Sequence, residues 1–181
     1  MTKVNNYPSK SELETKLKID EPRVIAVGAS AGGLEALKAF FKDIPETDKN
    51  AYVVIQHLSP DYKSMMGELL KKSTNLPIRE IKNKMKLKQG HIYLIPPANN
   101  LSFEKNKLHL VEKPKDQSLN LPIDMFFEAL SKERKEKAIG IILSGTGSDG
   151  TRGVRAIKER DGMIMVQDPE ESKFDGMPQS A

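Results

Sequence analysis

The chain has 181 residues and no cysteine, with 38% hydrophobic residues, 30% charged residues and a formal net charge of +4. This length suits one domain with a real core, and the lack of cysteine excludes disulfides, thiolate metal sites and cysteine nucleophiles. No apolar run approaches the roughly 20 residues of a membrane-spanning helix, which argues against membrane insertion. The mild charge and the few aromatic residues argue against nucleic-acid binding.

Residues 1–20 are polar, mixed in charge and without a sustained apolar period. This composition is typical of a linker or a disordered tail, so we expect the folded domain to span residues 21–181. The first residues also lack the apolar stretch of a secretory signal peptide. The sequence therefore predicts a cytoplasmic protein.

A short apolar strand at 23–27 leads into the motif Gly-Ala-Ser-Ala-Gly-Gly at 28–33, and apolar residues at helical spacing begin at Leu34. A serine on such a strand-to-helix turn keeps its hydroxyl uncovered. The N-terminus of the following helix offers free N–H groups to a developing oxyanion. Ser30 is therefore a candidate nucleophile.

A second apolar run, residues 51–56, ends at His57 and is followed by a helix whose apolar face consists of methionine and leucine. From residue 78 to 111 the apolar period changes to two, which is typical of strands. We expect a small antiparallel excursion here, with residues 91–95 and 107–111 among its strands.

Pro122 suits the first position of a third helix. The strand 139–143 then runs into a glycine-rich loop, residues 144–150, which carries one carboxylate, Asp149. A further helix and a strand at 163–166 complete the alternation.

Alternating strands and helices predict an α/β fold, with a doubly wound, mainly parallel sheet that has helices on both faces. Ser30, His57 and Asp149 each come just after a predicted strand. The carboxyl ends of parallel strands form one rim, at which ligands bind. The three side chains can therefore converge as a Ser-His-Asp triad, which is recognised by geometry and not by chain order.

Three ordered motifs give the chain a family resemblance: 28–33, Val-Ile-Gln-His at 54–57, and Leu-Ser-Gly-Thr-Gly-Ser-Asp-Gly at 143–150. Together with Gly-His-Ile-Tyr at 90–93 and Phe-Asp-Gly-Met-Pro at 174–178, they closely resemble the catalytic domain of the chemotaxis receptor methylesterases of the CheB type. The match runs from about Arg23 to the end of the chain.

The resemblance implies a serine-type carboxylic ester hydrolase, a protein-glutamate methylesterase that acts on the cytoplasmic helices of methylated chemoreceptors and in many members also deamidates receptor glutamines. It carries Ser30, His57 and Asp149 over as the triad. For the oxyanion, the mechanism points to the N–H groups of Ala31 and Thr146. No metal or organic cofactor is required.

The segment Leu-Pro-Ile-Asp-Met-Phe-Phe at 121–127 resembles the variants fused to a methyltransferase and sensory domains more than the stand-alone members. This favours an interpretation of the chain as one piece of such a fusion. The family usually continues beyond the point at which this sequence stops, so we expect a truncated C-terminal end of the domain.

Two alternatives stay open at this stage. Gly145–Gly150 fits the pattern G-x-G-x-x-G, and Asp168 follows at about the distance of a ribose-binding acid, which would make the chain a nucleotide-binding module. Asp149 also has a purely structural interpretation, as the N-cap of the helix that begins after Gly150.

Overall fold

In the computed structural model, which describes residues 21–56, 65–113 and 119–181, the strands form a larger and a smaller sheet. The larger sheet contains β1 (Val24–Ala29), β2 (Ala51–Gln56), β3 (Ile78–Glu80), β5 (His91–Leu94), β8 (Ile139–Ile142) and β9 (Met163–Val166). The smaller sheet contains β4 (Met85–Lys86), β6 (Asn99–Glu104) and β7 (Lys107–Glu112). The predicted tail, residues 1–20, lies outside the described residues.

The helices are α1 (Gly33–Lys42), α2 (Met66–Leu70), α3 (Pro122–Arg134), α4 (Thr151–Lys158) and α5 (Gly176–Ser180), with short 3-10 turns at Lys135–Lys137 and Pro169–Glu171. Pro122 stands at the start of α3, as its lack of an N–H donor predicts. Each predicted helix is therefore present, and a short one follows at the C-terminal end.

The larger sheet has the strand order β3-β5-β2-β1-β8-β9, and every neighbouring pair in it is parallel. The smaller sheet is antiparallel. The predicted α/β class is confirmed, and so is the small antiparallel excursion.

The assignment of residues 91–95 to that excursion is wrong. β5 pairs in parallel with both β2 and β3 and so belongs to the larger sheet. Its adjacent residues Ile92 and Tyr93 are both buried. A strand covered on both faces is what a parallel sheet produces, whereas an antiparallel strand with one wet face alternates.

Alternate residues of β1 pack into two different hydrophobic clusters. Val24 and Ala26 face the cluster that includes residues of α3 and α4. Ile25 and Val27 face the cluster that includes residues of α1 and α2. Helices therefore cover the two faces of the sheet, and β1 lies in the middle of the layered core.

The chain leaves β1 toward β2 on one side and returns much later to β8 on the other side of β1. The order of strands therefore reverses between β1 and β8. In open parallel sheets the crevice at the carboxyl ends of such a pair is the usual ligand site. Here that crevice is bordered by the segment after Ala29 and the loop after Ile142.

Gly153 lets α4 approach α3 closely. A Cβ added at this position would overlap Phe127 Cβ and stand 3.3 Å from the Cα of Asp124. We expect Gly153→Ala to lower the free energy of unfolding by about 1–2 kcal/mol, because overpacking costs about 1–3 kcal/mol and alanine returns at most about 1 kcal/mol of helix propensity.

Urea unfolding followed by circular dichroism measures this difference. Gly67→Ala is the matched control, since a Cβ at Gly67 in α2 would meet Leu94 Cδ1 at an ordinary 3.6 Å. The control is expected to keep or raise the stability. A Gly153→Ala variant as stable as the control would contradict the packing argument.

Among the described helices, none has both the length and the apolar character needed to cross a lipid bilayer.

Candidate active site

Ser30 lies at the carboxyl end of β1, directly before the first turn of α1. Its N–H donates to the carbonyl of Ser144 at 3.0 Å, and its own carbonyl accepts from the N–H of Gly33 at 2.9 Å. The side chain is partly exposed. The structure therefore places the predicted nucleophile on a tight turn that ends one strand and begins a helix, with its backbone held on both sides.

The turn needs a glycine at position 32, which has φ of 70° and precedes the first residue of α1. A Cβ at this position would lie 2.8 Å from Ser144 Oγ and 3.0 Å from Phe174 Cδ2. Both the left-handed backbone and the close neighbours exclude a side chain. The nucleophile turn is thus packed against the loop after β8 and against the C-terminal segment.

Gly145 brings the loop after β8 up to Ser30. A Cβ on Gly145 would lie 3.0 Å from Ser30 Cβ and would overlap the sulfur of Met177, which is only 1% exposed. The N–H of Gly145 donates to Phe174 O, and its carbonyl accepts from the N–H of Met177, each at 2.9 Å. Three distant segments therefore meet beside the serine.

The two predicted oxyanion donors border this meeting point. Ala31 follows Ser30 at the N-terminal end of α1, and Thr146 follows Gly145 on the facing loop. Within the described part of the chain, neither N–H is among the donors of the loop and cap hydrogen bonds. An oxyanion hole needs N–H donors that no other acceptor has taken, so Ala31 and Thr146 stay candidates for this role.

Asp149 is buried, with 8% of its surface exposed. Its carboxylate oxygens accept the N–H groups of Ile123 at 3.1 Å and Asp124 at 3.0 Å. These donors belong to the first turn of α3, where the helix dipole also stabilises negative charge. The carboxylate is therefore anchored in one orientation at the carboxyl end of β8.

The structural interpretation of Asp149 names the wrong helix, because Asp149 caps α3 and not α4, the helix that follows it. Gly150 is the N-cap of α4 and contributes no side-chain cap, while Asp149 caps α3. The side-chain acceptor for α4 comes from α3 instead, since Asp124 Oδ1 accepts the N–H of Gly153 at 2.8 Å. The two aspartates thus cap each other's helices, a reciprocal arrangement that needs both helices in place.

Asp124 is itself 1% exposed and also accepts from Arg152 Nε at 3.1 Å, although the Arg152 side chain is 64% exposed. Water screens the exposed guanidinium strongly, so its ion pair with Asp124 adds little stability. The hydrogen bond from Gly153 N–H to Asp124 therefore contributes more. Sequence reasoning missed Asp124. An acidic residue two positions after a helix-starting proline is a weak signal, because the partner helix lies about thirty residues later.

His57 lies outside the described residues. What the structure shows is the residue before it, Gln56, which ends β2 and stands in register with Ala29 of β1. The end of β2 is therefore beside the residue that precedes Ser30.

The other histidines belong to different sheets, His91 to β5 and His109 to β7. Among the described residues there is no group of three or more histidine, aspartate or glutamate side chains that could hold a metal ion. Burial raises the pKa of Tyr52 and Tyr93, which are residues of β2 and β5 and not of the loops around Ser30.

The nucleotide alternative fits this arrangement poorly. A pyrophosphate needs the N–H groups of the glycine loop, but Gly145 N–H is used by Phe174, and Gly176 packs so closely that a Cβ on it would lie 2.9 Å from Gly147 N. Asp168 is exposed and caps the 3-10 turn after it, by accepting the N–H of Glu170 at 3.0 Å. The C-terminal segment covers the place where the phosphates would lie.

Comparisons with known proteins agree on one family. A family model described as CheB methylesterase matches residues 25–181. A protein of Leptospira interrogans, described as a putative protein-glutamate methylesterase/protein-glutamine glutaminase, is 35% identical over 158 residues, which is 87% of this chain and 82% of that protein.

A protein-glutamate methylesterase/protein-glutamine glutaminase of Photorhabdus laumondii is 28% identical over 177 residues, 96% of this chain but 50% of that protein, so this chain spans about half of its length. Among solved structures, the CheB methylesterase catalytic domain of Thermotoga maritima superimposes with a TM-score of 0.80 at 26% sequence identity, covering 88% of this chain and 87% of that chain.

Proposed function

Because the chain belongs to the CheB methylesterase family, we propose that it is a protein-glutamate methylesterase, which hydrolyses γ-methyl esters of glutamate side chains in chemoreceptors to glutamate and methanol. The observation that carries this proposal is the contact between two turns. Ser30, after β1, meets the glycine loop that leads to the buried Asp149 after β8, at the point where the strand order reverses.

In the first half of the reaction, His57 takes the proton of the Ser30 hydroxyl as its oxygen attacks the ester carbonyl carbon. The tetrahedral intermediate then expels the methoxy group, which receives the proton from the imidazolium and leaves as methanol. An acyl-enzyme remains, with the glutamyl side chain bound to the oxygen of Ser30.

In the second half, water gives a proton to His57 and attacks the same carbonyl carbon. The Ser30 oxygen leaves and takes the proton back from His57, which restores the enzyme. The product is the carboxylic acid of the glutamate side chain, which loses its proton to solvent and becomes the carboxylate. Asp149 stabilises the imidazolium and fixes the tautomer of His57 in both halves. The position of Gln56 beside Ala29 supports this role for His57, the next residue in the chain.

The N–H groups of Ala31 and Thr146 hold the oxyanion in this mechanism. Removing one such donor typically costs about 3–4 kcal/mol of transition-state stabilisation. The same steps hydrolyse a glutamine side chain when ammonia leaves in place of methanol. We therefore include receptor glutamines as a second substrate, and the cytoplasmic helices of receptors as the partner.

Methanol release from a methylated receptor fragment tests the proposal. The wild-type chain is expected to release methanol. The mass of the receptor fragment should fall by that of one CH₂ for each ester hydrolysed, and the unmethylated fragment serves as the control. Absence of methanol together with tight binding of NAD(H) would favour the nucleotide alternative and overturn this function.

A further inference from the structure

We infer that Ser144 is a positioning residue for the Ser30–Ala31 peptide, an inference that rests on the proposed function. Ser144 follows β8 by two residues and is 1% exposed, so it has no access to a polypeptide substrate. Its carbonyl accepts the N–H of Ser30 at 3.0 Å, and its hydroxyl donates to the carbonyl of Ala31 at 2.9 Å. One residue thus holds the nucleophile turn at two places.

These two hydrogen bonds fix the peptide planes on either side of the Ser30–Ala31 peptide. The plane before it carries the Ser30 N–H, and the plane after it carries the Ala31 carbonyl. The middle plane, whose N–H is the proposed oxyanion donor, has little freedom to rotate once its neighbours are held. Preorganised donors of this kind contribute most when they need no movement during the reaction.

The hydroxyl of Ser144 also connects the turn to the C-terminal segment. It accepts the N–H of Phe174 at 3.0 Å, and Phe174 O lies 3.2 Å away. A hydroxyl has only one hydrogen to donate. Ala31 O is the nearer acceptor, and Phe174 O already accepts from Gly145, so we assign the hydrogen to Ala31.

The backbone of Ser144 is itself held by the side chain of Gln167. Its N–H donates to Gln167 Oε1 at 2.8 Å, one residue beyond β9. Ser144 therefore contacts the turn at Ser30, the C-terminal segment at Phe174 and Gln167 at the end of β9, and it couples the geometry of Ser30 to the other two segments.

Replacing Ser144 by alanine removes the hydroxyl and keeps the backbone carbonyl. We expect kcat for methanol release to fall about 10- to 100-fold with KM changed less than about twofold, because a small misplacement of reacting groups costs this much without affecting binding. Ser144→Thr keeps a hydroxyl and is expected to stay within about fivefold of the wild-type kcat.

Ser131→Ala is the matched control for stability. Ser131 is fully buried in α3, and its hydroxyl donates one hydrogen bond, to Glu128 O at 2.9 Å. It should lose stability without losing kcat. If Ser144→Ala does not fold, Ser144→Cys, which keeps the volume but only a weak donor, replaces it with the same expected loss.

The rate at which a sulfonyl fluoride labels Ser30 gives a second readout, which does not depend on the receptor substrate. It should fall in parallel with kcat in Ser144→Ala. A wild-type chain that is labelled at Ser30 but releases no methanol would refute the proposed ester substrate and leave Ser144 testable. Equal labelling rates in the alanine, threonine and wild-type chains would refute the positioning role.

Discussion

The Ser30→Ala chain is expected to release almost no methanol while it keeps the stability of the wild type. Removing the nucleophile of a serine triad lowers kcat by about 10⁴- to 10⁶-fold. The hydrogen bonds that hold Ser30 to Ser144 and Gly33 are made by its backbone, so alanine retains them. The free energy of unfolding should therefore change by less than about 0.5 kcal/mol.

The measurement pairs methanol release with a urea unfolding curve. Ser102→Ala, at a partly buried position of β6 in the smaller sheet, is the serine control and should keep both quantities. His57→Gln is expected to lose as much activity as Ser30→Ala, because triad members act as a unit. A Ser30→Ala chain that retains even a tenth of the activity would remove Ser30 from the role of nucleophile.

The Asp149→Asn chain is expected to lose both activity and stability. In the proposed triad, loss of the carboxylate leaves His57 in the wrong tautomer, and this change costs about 10⁴-fold in kcat in a serine triad. The N–H groups of Ile123 and Asp124 bond to different oxygens of the carboxylate, and in the amide an NH₂ donor takes the place of one of these oxygens. One buried donor at the start of α3 is left unpaired, at a cost of about 1–3 kcal/mol.

The control is Asp168→Asn, which alters an exposed capping aspartate outside the glycine loop. It should leave methanol release unchanged, whereas a nucleotide-binding module would need this acid. The assignment of Asp149 is contradicted if its asparagine variant loses stability but keeps kcat, since the carboxylate would then serve only as the cap of α3.

Local patterns carried most of the prediction of the fold. The glycine-flanked turn at Ser30, the proline that starts α3 and the apolar run of β8 are signals contained in a few neighbouring residues. Sheet membership was harder, and β5 was misassigned. A short apolar run after a lysine-rich stretch does not reveal whether its second face is covered by a helix or by water.

For the site, the sequence predicted candidate residues but not their arrangement. Ser30 and Asp149 were recognisable because each lies between a strand and the helix that follows it. The alternation of strands and helices does not reveal that β8 lies beside β1. Ser144 and Asp124 carried at most a weak signal, since a serine in a glycine loop and an acid in a first helical turn are common. Their partners are far away in the chain.

The sequence by itself determined the class of the fold and the turn that carries Ser30, because apolar periodicity and turn geometry depend on near neighbours. Only the tertiary structure decided that Asp149 caps α3, that Asp124 caps α4 in return, and that Ser144 holds Ala31, 113 residues away. Each of these hydrogen bonds joins a side-chain oxygen to a backbone group, and backbone N–H and carbonyl groups are present along the whole chain. Only the packing of helices and strands determines which of them meet.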